Sequence, residues 1–136
     1  MAVVDASVAI ALINADEPDH AVSRSWFGRT ISARETVSAP FILLAEIAAA
    51  LSRGRNDPNL AHRVVSYLLR TNLIQLWPVT PSIAERAASI AADYRIRGCD
   101  AIYVALAEQL DGELVTLDRQ QLERGAAVVT TRQPPA

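Results

Sequence analysis

RGCDAIYVALAEQLDGELVTLD, residues 97–118, is the stretch whose reading decides the fold. It reads as a helix over CDAIYVALAEQLDG followed by a strand over ELVTL, apolar inside, with Asp100 at one end and Asp118 at the other. Short apolar strands alternating with helices argue a parallel sheet covered on both faces. The two aspartates admit two readings: caps at element boundaries, or half of an acidic site.

The same alternation extends in both directions. AVV at 2–4 opens the chain as a strand that Asp5 ends, and ASVAIALIN follows as a helix with Ser7 as its cap. EPDHAVSRSWFGRTI suits a second helix after Pro18, and TVSAP at 36–40 is a minimal strand that Pro40 terminates. Helices are expected over 41–54 and over 57–71, the latter opened by Asp57-Pro58. LIQLWPV at 73–79 is a third strand, and TPSIAERAASIAADYRIRG at 80–98 a long helix capped by Thr80. Beyond Asp118, DRQQLERG makes a short helix and AAVVT a last strand, which leaves TTRQPPA as a frayed tail.

At 136 residues without an internal boundary, the expectation is one domain over 1–130 and a flexible tail over 131–136. All 13 basic residues are arginine and 15 residues are acidic, so the formal charge is -2. Nucleic-acid contact would need a local arginine patch rather than global attraction. The absence of lysine excludes a lysine-dependent phosphate loop or Schiff base. Cys99 is the sole cysteine, which excludes disulfides and thiolate clusters and reads as a small packed residue. No run is long enough to span a membrane and no signal peptide opens the chain, so the expected compartment is the cytoplasm.

In parallel α/β sheets, ligands bind beyond the carboxyl ends of the strands. Asp5 follows the first strand, Asp118 the fourth, Asp100 begins the helix that leads into the fourth, and Glu46 lies one turn inside the helix after the second. Each has a plainer reading: Asp5 as an acceptor of helix N–H groups, Glu46 on a wet helix edge, Asp100 as a first-turn acid, and Asp118 with Gln121 as a capping box. Together, three or four carboxylates in one cleft cannot all stay ionised cheaply unless a cation neutralises them. An oxygen-only set suits Mg²⁺ first and Mn²⁺ second. Such ions can serve phosphodiester hydrolysis. Thr116 lies two residues before Asp118 and can bond a carboxylate or a water. Arg53, seven residues after Glu46 on roughly the same helix face, and Arg95, Arg97 and Arg119 beside the other acids read as ordinary helix-end and solvated arginines or as a way to hold a phosphate backbone. Val64, Val65, Leu68 and Leu69, with Trp26 and Phe27, are core or contact residues. His20 and His62 lack spaced ligand partners, and no glycine-rich phosphate loop occurs. A phospho-aspartyl phosphatase would want an acid two residues after Asp5, where Ser7 stands.

Four blocks in order, VVDASVAIAL, LLAEIAAAL, RGCDAIYVALAE and LVTLDRQQL, resemble PIN-domain proteins, and among them the VapC toxins of toxin–antitoxin pairs. The resemblance implies a three-layer α/β/α fold around a mostly parallel sheet of about five strands in the order 3-2-1-4-5. It implies that Asp5, Glu46, Asp100 and Asp118 bind Mg²⁺ or Mn²⁺ for endonucleolytic RNA cleavage, with Ser7 and Thr116 at flanking hydroxyl positions. It further implies a homodimer, a VapB-type antitoxin, and a tRNA or ribosomal RNA substrate. The competing expectation is a PIN-like module that binds RNA or a partner without cutting.

Overall fold

The computed structural model describes residues 1–136. Its elements, in chain order, are β1 (Ala2–Val4), α1 (Ala6–Ile13), α2 (His20–Ser32), β2 (Val37–Pro40), α3 (Ile42–Gly54) and α4 (Pro58–Thr71). They continue with β3 (Gln75–Trp77), α5 (Pro81–Tyr94), α6 (Gly98–Gln109), β4 (Glu113–Val115), α7 (Arg119–Gly125) and β5 (Thr131–Arg132). The five strands form one sheet in the order β3-β2-β1-β4-β5. Every neighbouring pair is parallel.

Right-handed crossovers fix which face each helix covers. The chain moves from β1 outward to β2 and β3, placing α1–α4 on one face. It then jumps back past β1 to β4 and β5, placing α5–α7 on the other. Contacts agree with this layering: α1 packs on α2 and α3, α3 on α4, and α6 on α5, α7, β1, β2 and β4. The expected three-layer arrangement is therefore present. Helix α6 is enclosed by the sheet, α5 and α7, and buries Ala101 and the whole run Tyr103–Ala107. A helix buried on most sides has no room for a continuous polar stripe, so its polar residues, Asp100, Glu108 and Gln109, lie at its two ends.

Side chains start several helices. Asp57 accepts from Leu60 N at 2.9 Å, and Thr80 from Ile83 N at 3.2 Å. Pro58 and Pro81 follow them at the first helical position, where no amide proton is needed. The cap of α1 is Asp5, whose carboxylate accepts from Val8 N, whereas Ser7, expected as the cap, lies inside the helix. Gly112 lets the turn into β4 press against the N-terminus, since a Cβ there would stand 2.8 Å from the Met1 carbonyl oxygen.

Two expectations at the C-terminus are corrected. AAVVT is a turn rather than a strand, because Val128 and Val129 both donate to the Gly125 carbonyl and fold the chain back. Residues 131–136, expected to be frayed, supply β5, and the Pro135 carbonyl accepts from Arg29 at 2.8 Å. Cys99 is exposed rather than packed.

Candidate active site

The sheet order reverses between β1 and β4, so their carboxyl ends border the crevice where such folds bind ligands. Asp5 leaves β1 there, and Thr116 and Asp118 leave β4. The N-terminus of α6 contributes Asp100, and α3 contributes Glu46.

Asp5 is buried, and its two oxygens meet four donors. Oδ1 accepts from Ser7 Oγ at 2.5 Å and Val8 N at 3.3 Å. Oδ2 accepts from Thr116 Oγ1 at 2.5 Å and Gln121 Nε2 at 2.8 Å. The cradle closes on itself: Leu117 N donates to Ser7 Oγ at 2.9 Å and Asp118 N to Thr116 Oγ1 at 3.0 Å. Burial nevertheless outweighs these donors. It pushes the Asp5 pKa up to about 6, and the nearby Asp100 charge adds to the rise.

The remaining acids ring this centre. Asp100 Oδ2 accepts from Arg97 Nε at 2.9 Å, and the same guanidinium reaches Asp118 Oδ2 at 3.6 Å. Asp118 Oδ1 meanwhile caps α7, accepting from Gln120 N at 2.8 Å and Gln121 N at 3.1 Å. Glu46 Oε1 accepts from Tyr103 OH at 2.5 Å. The Tyr103 phenol is held far above its ordinary pKa, first by burial and then by Glu46, with Asp5 and Asp100 adding their fields. The Arg97 guanidinium is held more firmly protonated, chiefly by Asp100, then by Asp118 and Glu46. Four carboxylates thus share one electrostatic neighbourhood with a single guanidinium.

All four acids named from the sequence lie in this neighbourhood, and Ser7 and Thr116 bond the first of them. Arg53 sits exposed in the last turn of α3, about 10 Å along the axis from Glu46. Tyr103 and Gln121 were not assigned to the site from sequence, whereas Arg97 was read there only as one of several arginines beside the acids. Tyr103 follows Asp100 by three residues, Gln121 follows Asp118 by three, and Arg97 precedes Asp100 by three. Helical spacing was the available signal for the first two.

The donor set consists of carboxylate and hydroxyl oxygens, which suits a hard divalent cation. No three His, Cys, Asp or Glu side chains stand grouped in metal-holding geometry. Asp5 has four donors on its two oxygens.

The largest groove lies elsewhere and is lined by none of the four acids. It encloses about 820 Å³ between α1, α2 and α4, with Ile13, Phe27, Val64 and Tyr67 on its walls and Arg24, Arg63 and Arg70 among its lining. Trp26 belongs to the core, while its neighbour Phe27 faces this groove.

Comparison with known proteins places this geometry in context. The PIN domain model matches residues 2–127. A curated relative, ribonuclease VapC3 of Pyrobaculum aerophilum, is 44% identical over 48 residues, which is 35% of this chain and 37% of that protein. The match thus spans little more than a third of the relative's length. Among solved structures, Mycobacterium tuberculosis VapC20, described as a sarcin-ricin loop cleaving toxin, superposes with a TM-score of 0.76 at 18% identity, covering 96% of this chain and 97% of its own. FitAcB from Neisseria gonorrhoeae gives 0.74 at 19% identity, with 98% of both chains covered. A toxin–antitoxin complex from Klebsiella pneumoniae gives 0.69 at 17%, covering 99% of this chain and 98% of the other. At these identities the likeness is one of fold.

Proposed function

This chain belongs to the PIN domain family, and on that premise we propose that it is a Mg²⁺-dependent endoribonuclease, the VapC-type toxin of a VapBC pair. The observation that carries the reading is the convergence of Asp5, Glu46, Asp100 and Asp118 at the switch point between β1 and β4. The segmental identity to a VapC ribonuclease supports it.

In this reading Asp5, Glu46 and Asp100 hold the ion, and Asp118 supports it while capping α7. Mn²⁺ can replace Mg²⁺ at an all-oxygen site. Once bound, the ion supplies Lewis-acid stabilisation of the charge that builds on the phosphodiester as water attacks. The chain's own groups supply orientation. Ser7, Thr116 and Gln121 fix the Asp5 carboxylate, and Tyr103 fixes Glu46. Asp5 must release at least one of its four donors to coordinate, and a hydroxyl can do this by rotating its proton away.

The partner reading follows from the second surface. An antitoxin segment carrying apolar residues and acids would seat on the groove between α1, α2 and α4, its acids facing Arg24, Arg63 and Arg70. A homodimer and a tRNA or ribosomal RNA target belong to the same proposal, as do a cytoplasmic location and a single PIN domain, which extends past the expected boundary at 130 to include β5.

The competing reading is a PIN-like module that binds RNA without cutting. Cleavage of total RNA with Mg²⁺, repeated with EDTA and with Asp5→Asn and Asp100→Asn, separates the two. The nuclease reading expects discrete cuts that need the ion and both acids. Cutting that survives both substitutions would overturn the site assignment.

A further inference from the structure

Arg97 is the one cation in ion-pair contact with the acidic site. The other arginine–carboxylate pairs, Arg86 with Glu108 and Arg132 with Glu113, touch none of the four acids. Arg97 precedes the first turn of α6 and makes no side-chain capping bond, so its side chain is free to reach forward. It is 73% exposed, against 15% for Asp100 and 31% for Asp118, and lies over them from the solvent side.

The guanidinium is only half engaged. Nε donates to Asp100 at 2.9 Å, but the 3.6 Å approach of Nη2 to Asp118 is too long for a hydrogen bond. Neither Nη group makes a hydrogen bond, so the exposed side chain keeps a fork suited to planar oxyanions unused beside the acids.

We propose that Arg97 is an exchangeable countercharge: it holds Asp100 and leans toward Asp118 in the empty site, and moves to an RNA phosphate when Asp100, with Asp5 and Glu46, receives a divalent cation. The inference deepens the nuclease reading and rests on it. The arginine and the ion would both claim the Asp100 carboxylate, and the arginine can leave cheaply because its own side chain is 73% exposed and water takes over its bonds. Once released, its side chain remains within reach of a phosphodiester held over the acids. Arg97 is therefore a substrate-binding and positioning residue that competes with the metal.

Mn²⁺ binding to the full chain without RNA, followed by the electron paramagnetic resonance of free Mn²⁺, tests the first half. Arg97→Gln is expected to bind Mn²⁺ about two- to fivefold more tightly than the wild type, and Arg97→Lys about as the wild type does. Unchanged or weaker binding in Arg97→Gln overturns the competition. Steady-state cleavage of a short RNA tests the second half. Arg97→Gln should raise KM about tenfold with a smaller change in kcat, and lower the slope of log KM against log salt by about one, while Arg97→Lys keeps the slope. An unchanged KM and slope overturn the phosphate role. Asp100→Asn separates the two levels of the argument. Wild-type protein that binds no Mn²⁺, or binds it equally well after Asp100→Asn, removes the nuclease reading itself. Normal loss in Asp100→Asn with no gain in Arg97→Gln removes only the inference about Arg97.

Discussion

Tyr103 donates its hydroxyl to Glu46 Oε1 across 57 residues of sequence, from a ring that solvent does not reach. Because burial and the Glu46 charge hold the phenol protonated, it remains a donor throughout the working range of pH. Tyr103→Phe keeps the ring and its packing but leaves the carboxylate free to turn. Cleavage should fall about tenfold, as when outer-shell partners of metal ligands are removed. Urea unfolding should change by no more than about 1 kcal/mol. A loss of activity matched by a collapse of stability would mean that the hydroxyl serves folding rather than Glu46.

Asp5 should make the metal-free protein less stable as pH rises. Its pKa lies at 3.8 when unfolded and about 6 when folded, because burial penalises the charge. The folded state therefore binds more protons between these values, and stability declines across that window by something on the order of 3 kcal/mol. Asp5→Asn carries no such charge. In EDTA it should melt above the wild type at pH 8, with the gap shrinking toward pH 4. A gap independent of pH would show that burial of Asp5 is not the cause.

Gln121 spends its amide nitrogen on Asp5 while its own Oε1 is buried without a partner. Gln121→Leu removes both features, so the net change in stability should stay within about 1 kcal/mol. Losing a donor to the carboxylate raises its proton affinity. The acid limb of the pH–activity profile should therefore move to higher pH, and an unmoved limb would refute this positioning role.

Asp118 divides its two oxygens between tasks, capping α7 with one and meeting Arg97 with the other. Asparagine caps about as well as aspartate, whereas alanine typically loses about 1 kcal/mol. Thermal unfolding should rank Asp118→Asn close to wild type and Asp118→Ala below it. Activity lost equally in both variants would identify the charge as the functional property, and activity kept in Asp118→Asn would identify the cap.

The helices were legible because their signals are local. Asp57, Thr80 and Asp118 cap the helices that their spacing announces. Strands were harder to bound. LIQLWPV shrinks to Gln75–Trp77 and ELVTL to Glu113–Val115, since three residues suffice to pair in so short a sheet. The valines of AAVVT mimic a strand but sit in a turn closed on Gly125, and β-branched residues alone cannot report where a partner strand runs out. The four acids were legible as positions beyond strand ends. Their partners were less so, because Tyr103 reaches Glu46 and Gln121 reaches Asp5 only through packing between distant elements.

The cradle around Asp5 also sets an order in time. The Asp5 carboxylate is made more than 110 residues before two of its four donors, Thr116 and Gln121. A growing chain that has not yet released those residues from the ribosome exposes the first acid without its cradle, and β1 without its β4 neighbour. Truncated products ending before Thr116 should therefore be inert as nucleases. On the proposed function, cleavage would begin only once Thr116 and Gln121 have joined Asp5 in the fold.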